Sequence, residues 1–376
     1  MKILKLLPLL YLFVFVACNN DDDVKPSVDK KPLLQEKLNA ALADFPGLSL
    51  SVKTPTESYT LVAGDAAVGQ TPMQTGSLQY MQSISKTFTA VAVLKLKEEG
   101  KIDLDARINT YLPADICNNL ANGNSITVRQ LMNMTSGLPD YLDNDLFFED
   151  VLSGPLPMPS EQILGYIYGK PANFTPGTSF SYSNINYHLL ALIIDSVTEN
   201  GHRQYITQNV IGSAGLTNTY YIAGSDITAA PAGTVASYLA DGNTFTDISA
   251  LQLGTVLSFI GDDGIVAAPA DIASFYYKLL HDGSLVSAAS LAEMKTTVSL
   301  QGEPIYGLGL HFYKTDSSVH AIGHDGSGAG AGAYAFYFPS KNTSIVLCTN
   351  TGTLTDAAKE TQLMNLWQEV SGILLE

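Results

Sequence analysis

Cysteine is scarce in this 376-residue chain. Cys18, Cys117 and Cys348 are too few for a disulfide framework. No Cys-x-x-Cys or His-Glu-x-x-His spacing offers a metal cage, so neither a metal nor another cofactor is expected. Charge is also sparse, at 15% of residues, and basic groups are the minority: 20 against 36 acidic, a net −16. With no local basic patch to reverse that field, a nucleic-acid partner is excluded. The apolar run Leu6–Ala17 is 12 residues long, too short to span a bilayer. What the chain has instead is apolar material, 46% of its residues, enough for a large core that folds unaided.

Lys2 and Lys5 followed by Leu6–Ala17 read as the charged and apolar parts of a signal peptide covering residues 1–17. The run ends in Phe15-Val16-Ala17-Cys18, which resembles the bacterial lipoprotein signal, in which the cysteine is lipidated and becomes the mature N-terminus. Residues 18–32 hold Asp21-Asp22-Asp23 and then a Pro/Lys/Ser-rich piece with nothing to bury, a tether. The acidic run resembles an outer-surface export signal. The expected location is the cell envelope, lipid-anchored on a periplasmic or outer-surface face, with the N-terminal lipid as the only membrane contact.

Beyond the tether, Leu34, Leu38, Ala41, Leu42 and Phe45 recur at helical spacing until Pro46-Gly47. Leu48, Leu50 and Val52, then Tyr59, Leu61 and Ala63, alternate as a hairpin would. Thr87–Leu96 is apolar nearly all round, which predicts a helix enclosed on every side. From 113 to 261, helical segments such as 159–169 and 186–211 alternate with polar loops, which predicts an inserted helical domain. Strand alternation returns as one run over Tyr306–Tyr313, then at Ala333–Phe338 and Ser344–Thr349, before a closing helix with Leu363, Trp367, Val370 and Leu374 on one face. The fold class is α/β, an antiparallel sheet flanked by helices, with segments 33–112 and 262–376 forming the α/β domain and 113–261 the helical one.

Ser83-Ile84-Ser85-Lys86 opens the enclosed helix. Three residues are almost one helical turn, so Ser83 and Lys86 project on the same face, the serine at the positive end of the helix dipole. A serine hydroxyl needs a base, and a buried lysine, its pKa lowered by desolvation, can be that base or part of a proton relay. The spacing alone is cheap: Ser27-Val28-Asp29-Lys30 in the tether has it too, and a serine there can simply cap a helix. Two later segments join it, Tyr182-Ser183-Asn184 before a helical stretch and Gly323-His324-Asp325-Gly326 before a strand.

Together these resemble the penicillin-recognising serine hydrolases, the superfamily of class C β-lactamases and serine D-Ala-D-Ala carboxypeptidases, whose signatures are Ser-x-x-Lys, Tyr-x-Asn and Lys/His-x-Gly in that order. Leu131-Met132-Asn133-Met134-Thr135-Ser136-Gly137-Leu138-Pro139-Asp140-Tyr141 and Gly264–Asp271 resemble two further family segments, with Ala267 or Ala268 where the family usually has serine. The resemblance spans roughly 33–376. It implies a β-lactamase/transpeptidase-like fold with an inserted all-helical domain, Ser83 as acylated nucleophile, and Lys86 and Tyr182 sharing base and proton-shuttle work. It further implies Asn184 bonded to the lysine and the substrate, backbone N–H groups of Ser83 and Ser327 as oxyanion hole, and His324, followed by Asp325 and Gly326, in the cationic position of the third motif.

His281-Asp282-Gly283 also fits His-x-Gly but closes a helix over Asp271–Leu280, so its glycine reads as a cap. The Gly328–Ala333 glycine run precedes a strand rather than a helix, which rules out a dinucleotide site, and no serine sits in Gly-x-Ser-x-Gly. His188, His202, His311 and His320 read as structural or surface groups. Histidine in the third motif is common among peptidase- and esterase-like members, and a carboxylate at 325 would repel a carboxylated substrate. The expected activity is an esterase or D-amino-acid peptidase acting on a neutral or amine-bearing small molecule or peptide. The alternatives are a D-Ala-D-Ala carboxypeptidase or β-lactamase, and a non-catalytic surface binder of penicillin or peptidoglycan.

Overall fold

The computed structural model describes residues 29–224, 226–242, 244–314 and 320–376. The signal, Cys18 and most of the tether therefore lie outside the described residues. Among those described, no helix is long and apolar enough to cross a membrane.

Helix α1 (Lys31–Ala40) starts two residues inside the stretch expected to be tether, because Pro32 fits the first turn, where no N–H is needed. The expected hairpin follows as β1 (Gly47–Lys53) and β2 (Ser58–Ala67), antiparallel with Leu50 opposite Leu61. Next come β3 (Thr71–Pro72), β4 (Gln79–Tyr80) and α2 (Ser85–Glu98). The middle of the chain holds α3 (Ala114–Asn119), α4 (Val128–Met132), α5 (Asp145–Ser153), α6 (Ser160–Gly165), α7 (Ile185–Val197), α8 (Gly201–Tyr205) and α9 (Ser249–Ser258). It is not all-helical: β5 (Thr219–Tyr221) and the hairpin of β6 (Tyr238–Asp241) and β7 (Thr244–Asp247) lie within it. Three or four residues are too short for a period to show, and β5 forms only because β8 (Ile265–Ala267), already paired with β4, offers it an edge. The chain ends with α10 (Pro269–Leu280), α11 (Ala288–Met294), β9 (Val298–Leu300), β10 (Glu303–Tyr306), β11 (His311–Lys314), β12 (His320–Ser327), β13 (Gly332–Phe338), β14 (Thr343–Thr349) and α12 (Ala357–Leu375).

Among the described residues, nine strands form one sheet in the order β3-β2-β1-β14-β13-β12-β11-β10-β9. Pairing of β1 with β14, Leu50 opposite Leu347, is what joins the two ends of the chain in one layer. Strand β14 is buried throughout, and its alternate residues serve two cores. Ile345 and Leu347 pack with Leu34 and Leu38 of α1 and Trp367 of α12, whereas Val346 and Cys348 face the core that includes α2 and α10. Helix α2 is buried from Ser85 to Leu94, and Phe88 stacks on Phe275 of α10 at 3.9 Å between ring centroids. A helix apolar on all sides has found partners on all sides.

The run Tyr306–Tyr313 is two strands, not one. Tyr306 pairs with His311 across a turn closed by Gly307 N–H donating to Leu310 O at 2.8 Å. Gly309 holds φ +75°, and a Cβ there would lie 2.5 Å from that of Ala90. The turn is thus pressed onto α2, which buries both Leu308 and Leu310 and mimics the alternation of a continuous strand.

Candidate active site

The site is built where β4 passes through a 3-10 turn, Gln82–Ile84, into α2. Ser83 lies on that turn, after Gln82 at φ +49°. One turn on, Lys86 is completely buried, and its Nζ donates to Ser83 Oγ at 2.9 Å, Asn184 Oδ1 at 2.7 Å and the Asp262 carbonyl at 3.1 Å. Burial pushes the Lys86 amine below the ordinary lysine range, against the upward pull of Asp262, Asp263, Asp140 and Asp325. In its neutral form the amine can accept the Ser83 proton along the same 2.9 Å contact.

Asn184 stands at the start of α7. Its backbone N–H and Nδ2 both donate to Asp140 Oδ2, at 3.0 and 2.9 Å, which fixes the amide with Oδ1 toward the lysine. Tyr182 lines the same cleft, its ring centroid 5.1 Å from Lys86 Nζ. Burial drives the Tyr182 phenol well above its ordinary range, only partly offset by its bond with Ser83, so it stays protonated.

Strand β12 forms the opposite wall. A Cβ on Gly326 would lie 2.5 Å from the Met81 carbonyl, so only glycine lets the strand run this close to the serine turn. Ser327 follows, its hydroxyl bonded to that of Thr353 at 2.7 Å, and both Ser83 and Ser327 line the cleft. His324 is buried. Its Nδ1–H donates to the Asp325 carbonyl at 2.6 Å, and its Nε2 accepts from Tyr306 O–H at 3.1 Å. Burial first, then the neighbouring His311 charge, pushes it well below the usual histidine range. Burial thus disfavours the cationic form that the resemblance implies for His324.

His311, read from the sequence as structural or surface, is part of the site. It sits opposite Gly323 in the β11–β12 register, stacks on His324 with centroids 4.3 Å apart, and its Nδ1 meets Asp325 Oδ1 at 2.5 Å. Burial acts to raise the Asp325 carboxyl, but the charge and hydrogen bond of His311 hold it well below the ordinary range. The signal was present in the sequence, but reading 306–313 as one strand hid the turn that brings His311 alongside β12. His311, His324 and Asp325 have ligand-type atoms within 4.8 Å of one another, yet the imidazoles are parallel within 16° and four of the ring and carboxylate atoms already hold hydrogen bonds. Both nitrogens of His324 and Nδ1 of His311 are committed to these bonds, so a metal would have to displace them. His188 is buried and bonded to Ser160, and His202 pairs with Asp195, as structural groups do. The side chain of His320 lies outside the described residues. His281 closes α10, with Gly283 at φ +60° just beyond.

Three carboxylates around Lys86, the buried Asp262 and Asp263 and the half-buried Asp140, carry no role in the sequence expectations. Besides Asp140, Asp262 accepts from Tyr141 O–H at 2.5 Å, and Asp263 accepts from Gly264 N–H at 2.7 Å. Burial pushes Asp262 up to about 6 and Asp263 up to about 7. A carboxyl whose folded pKa is raised stabilises fully below its unfolded value near 4, and that contribution is lost as pH climbs through the folded value. Asp263→Asn, which can still accept from Gly264, is therefore expected to be more stable than the parent by about 1–3 kcal/mol at pH 8, with no difference at pH 4. Denaturant unfolding at the two pH values measures this.

These groups line a cleft of about 660 Å³. One wall is polar, with His311, Asp325 and Ser327; the other is apolar, with Phe147, Phe148, Leu152 and Phe259. A serine bonded to a buried lysine, with an asparagine and a tyrosine beside them in an open cleft, is the equipment of a serine hydrolase.

The chain matches the Beta-lactamase family over residues 34–366. It belongs to that family. It is 33% identical over 139 residues to Protein flp of Staphylococcus aureus (strain N315), covering 37% of this chain and 27% of that protein. To Penicillin-binding protein 4* of Bacillus subtilis (strain 168) it is 31% identical over 150 residues, covering 39% of this chain and 31% of that protein. The match thus spans about a third or less of these curated relatives. Among solved structures it is similar to a D-stereospecific amidohydrolase from Streptomyces sp., with a TM-score of 0.75 and 27% identity, covering 87% of this chain and 96% of that one. The β-lactamase/transpeptidase-like fold expected from the sequence is the fold observed.

Proposed function

We propose that the protein hydrolyses amides or esters of neutral or amine-bearing substrates, D-amino-acid amides among them, through an acyl-enzyme on Ser83. Ser83 Oγ gives its proton to the neutral Lys86 amine and bonds to the substrate carbonyl carbon. The N–H groups of Ser83 and Ser327 receive the oxyanion. The proton passes from Lys86 through Tyr182, a phenol and hence a donor, to the departing nitrogen or oxygen as its bond to carbon breaks. Water then repeats the sequence against the acyl group, returning the proton to Ser83.

The observation that carries the substrate class is the state of the basic groups. Among the described residues lining the cleft there is no arginine or lysine, and the two histidines are engaged, His311 with Asp325 and His324 with Tyr306 and a carbonyl. Asp140, Asp262, Asp263 and Asp325 all line it as well. A substrate carboxylate would meet the Asp325 carboxylate and no free cation, whereas an ammonium or a neutral amide would not be repelled. The name of the Streptomyces relative, an amidohydrolase, supports the same reading.

The test compares kcat/KM for D-phenylalanine amide, a short-chain ester and a D-Ala-D-Ala peptide. The amide or ester is expected to be fastest, and Asp325→Ser should raise the peptide's rate about tenfold relative to the amide, the worth of one charge repulsion near 1.4 kcal/mol. Fastest turnover of the carboxylated peptide by the parent enzyme would make it a carboxypeptidase instead.

A further inference from the structure

Helix α5 carries two stripes with different partners. Phe147 is buried against Tyr141, Tyr166 and Phe259, with ring centroids 5.1, 5.5 and 5.8 Å away. One turn later Asp150 Oδ2 accepts from Tyr166 O–H at 2.6 Å, so this stripe fastens the helix to the protein. Phe148, Val151 and Leu152, at the i, i+3, i+4 spacing that defines one helical face, line the cleft and leave their side chains open to it, whereas Phe147 reaches it only from within this aromatic cluster. Phe148 is 40% and Leu152 76% exposed, and Leu239 of β6 and Leu354 also line the cleft, at 41% and 43%.

Scattered apolar side chains on a surface are ordinary; a cluster at the mouth of a reactive site is not. Nine large hydrophobic side chains are exposed among the described residues, and four of them, Phe148, Leu152, Leu239 and Leu354, line this one cleft. Its volume of about 660 Å³ falls in the range of drug-sized ligands, more than an acetyl group or one small residue fills.

We infer that the exposed face of α5, with Leu239 and Leu354, is a subsite for a bulky apolar group on the substrate, of the size of a hexanoyl or octanoyl chain. The inference rests on the serine-hydrolase reading and narrows its substrate class to hydrophobic amides and esters. Leu152 and Phe148 act as specificity residues: they cover the apolar group while Ser83 attacks, and removing its hydrocarbon from water favours reaction of longer chains.

The experiment measures kcat/KM for p-nitrophenyl acetate, butanoate, hexanoate and octanoate, corrected for the Ser83→Ala background. A methylene that is half covered should multiply the rate by about two, so the octanoate is expected to exceed the acetate roughly 50-fold. Leu152→Gln should cut that ratio about threefold and Phe148→Ser/Leu152→Gln to about fivefold or less. Leu300→Gln, an equally apolar change on β9 outside the cleft, should leave it unaltered. Circular dichroism confirms folding, and Leu152, already mostly in water, tolerates the polar side chain. A flat chain-length profile in the parent, or a ratio untouched by the α5 variants, overturns the inference while leaving the hydrolase reading in place. No turnover of any ester above background overturns this inference, and no turnover of D-phenylalanine amide either removes the hydrolase reading with it.

Discussion

Ser83→Ala is expected to lower turnover of D-phenylalanine amide by about 10⁴-fold or more, because nothing else bonded to Lys86 can accept an acyl group. Lys86→Met should lose nearly as much, and the double variant scarcely more, since two members of one unit do not contribute independently. The chemical signature is sharper than the rate. A fluorophosphonate should add one adduct to the parent protein, on the peptide containing Ser83, and none to Lys86→Met, where the hydroxyl has lost its base. Peptide mapping by mass spectrometry reads both results. An adduct of equal rate in Lys86→Met would show that Ser83 is activated by another group, and the assignment of the lysine would fall. Folding has to be checked at the same time: Lys86 is fully buried with three acceptors, and removing it leaves Asn184 Oδ1 and the Asp262 carbonyl without their donor.

Tyr182→Phe is the second large effect, a fall of about 10²–10⁴ in both acylation and deacylation, the usual worth of a positioned proton donor. The phenol lines the cleft beside Lys86 and is held protonated by burial, which suits it to pass a proton to the leaving group rather than to take one from serine. Pre-steady-state release of p-nitrophenol separates the two steps. Loss in acylation alone would restrict Tyr182 to leaving-group protonation; unchanged kinetics would remove it from the mechanism. Because Lys86 has its pKa depressed by desolvation, activity should rise with pH through a value below the ordinary lysine range, and Tyr182→Phe should leave that inflection where it is.

Much of this was legible in the chain itself. The alternation at 48–52 and 59–63, the all-round apolar stretch 87–96 and the closing Leu363/Trp367/Val370 face each became the element they predict. Local patterns succeed where one element's own period decides its burial. They failed at 306–313, where a turn pressed on α2 imitates a strand, and at 219–221, where a strand exists only because a neighbour offers an edge.

The sequence by itself determined the candidate serine–lysine pair and the motifs that accompany it. Ser83 and Lys86 are three residues apart, so helical geometry alone puts them on one face, and the ordered Tyr-x-Asn and His-x-Gly segments mark the rest. Tertiary structure alone decided the electrostatics. Lys86 meets Asn184 from 98 residues away and the Asp262 carbonyl from 176, His311 reaches Asp325 only through a hairpin, and burial lowers the pKa of His324. A residue's spacing follows from its own segment, but its desolvation and the charges around it are set by whatever the rest of the chain packs against it.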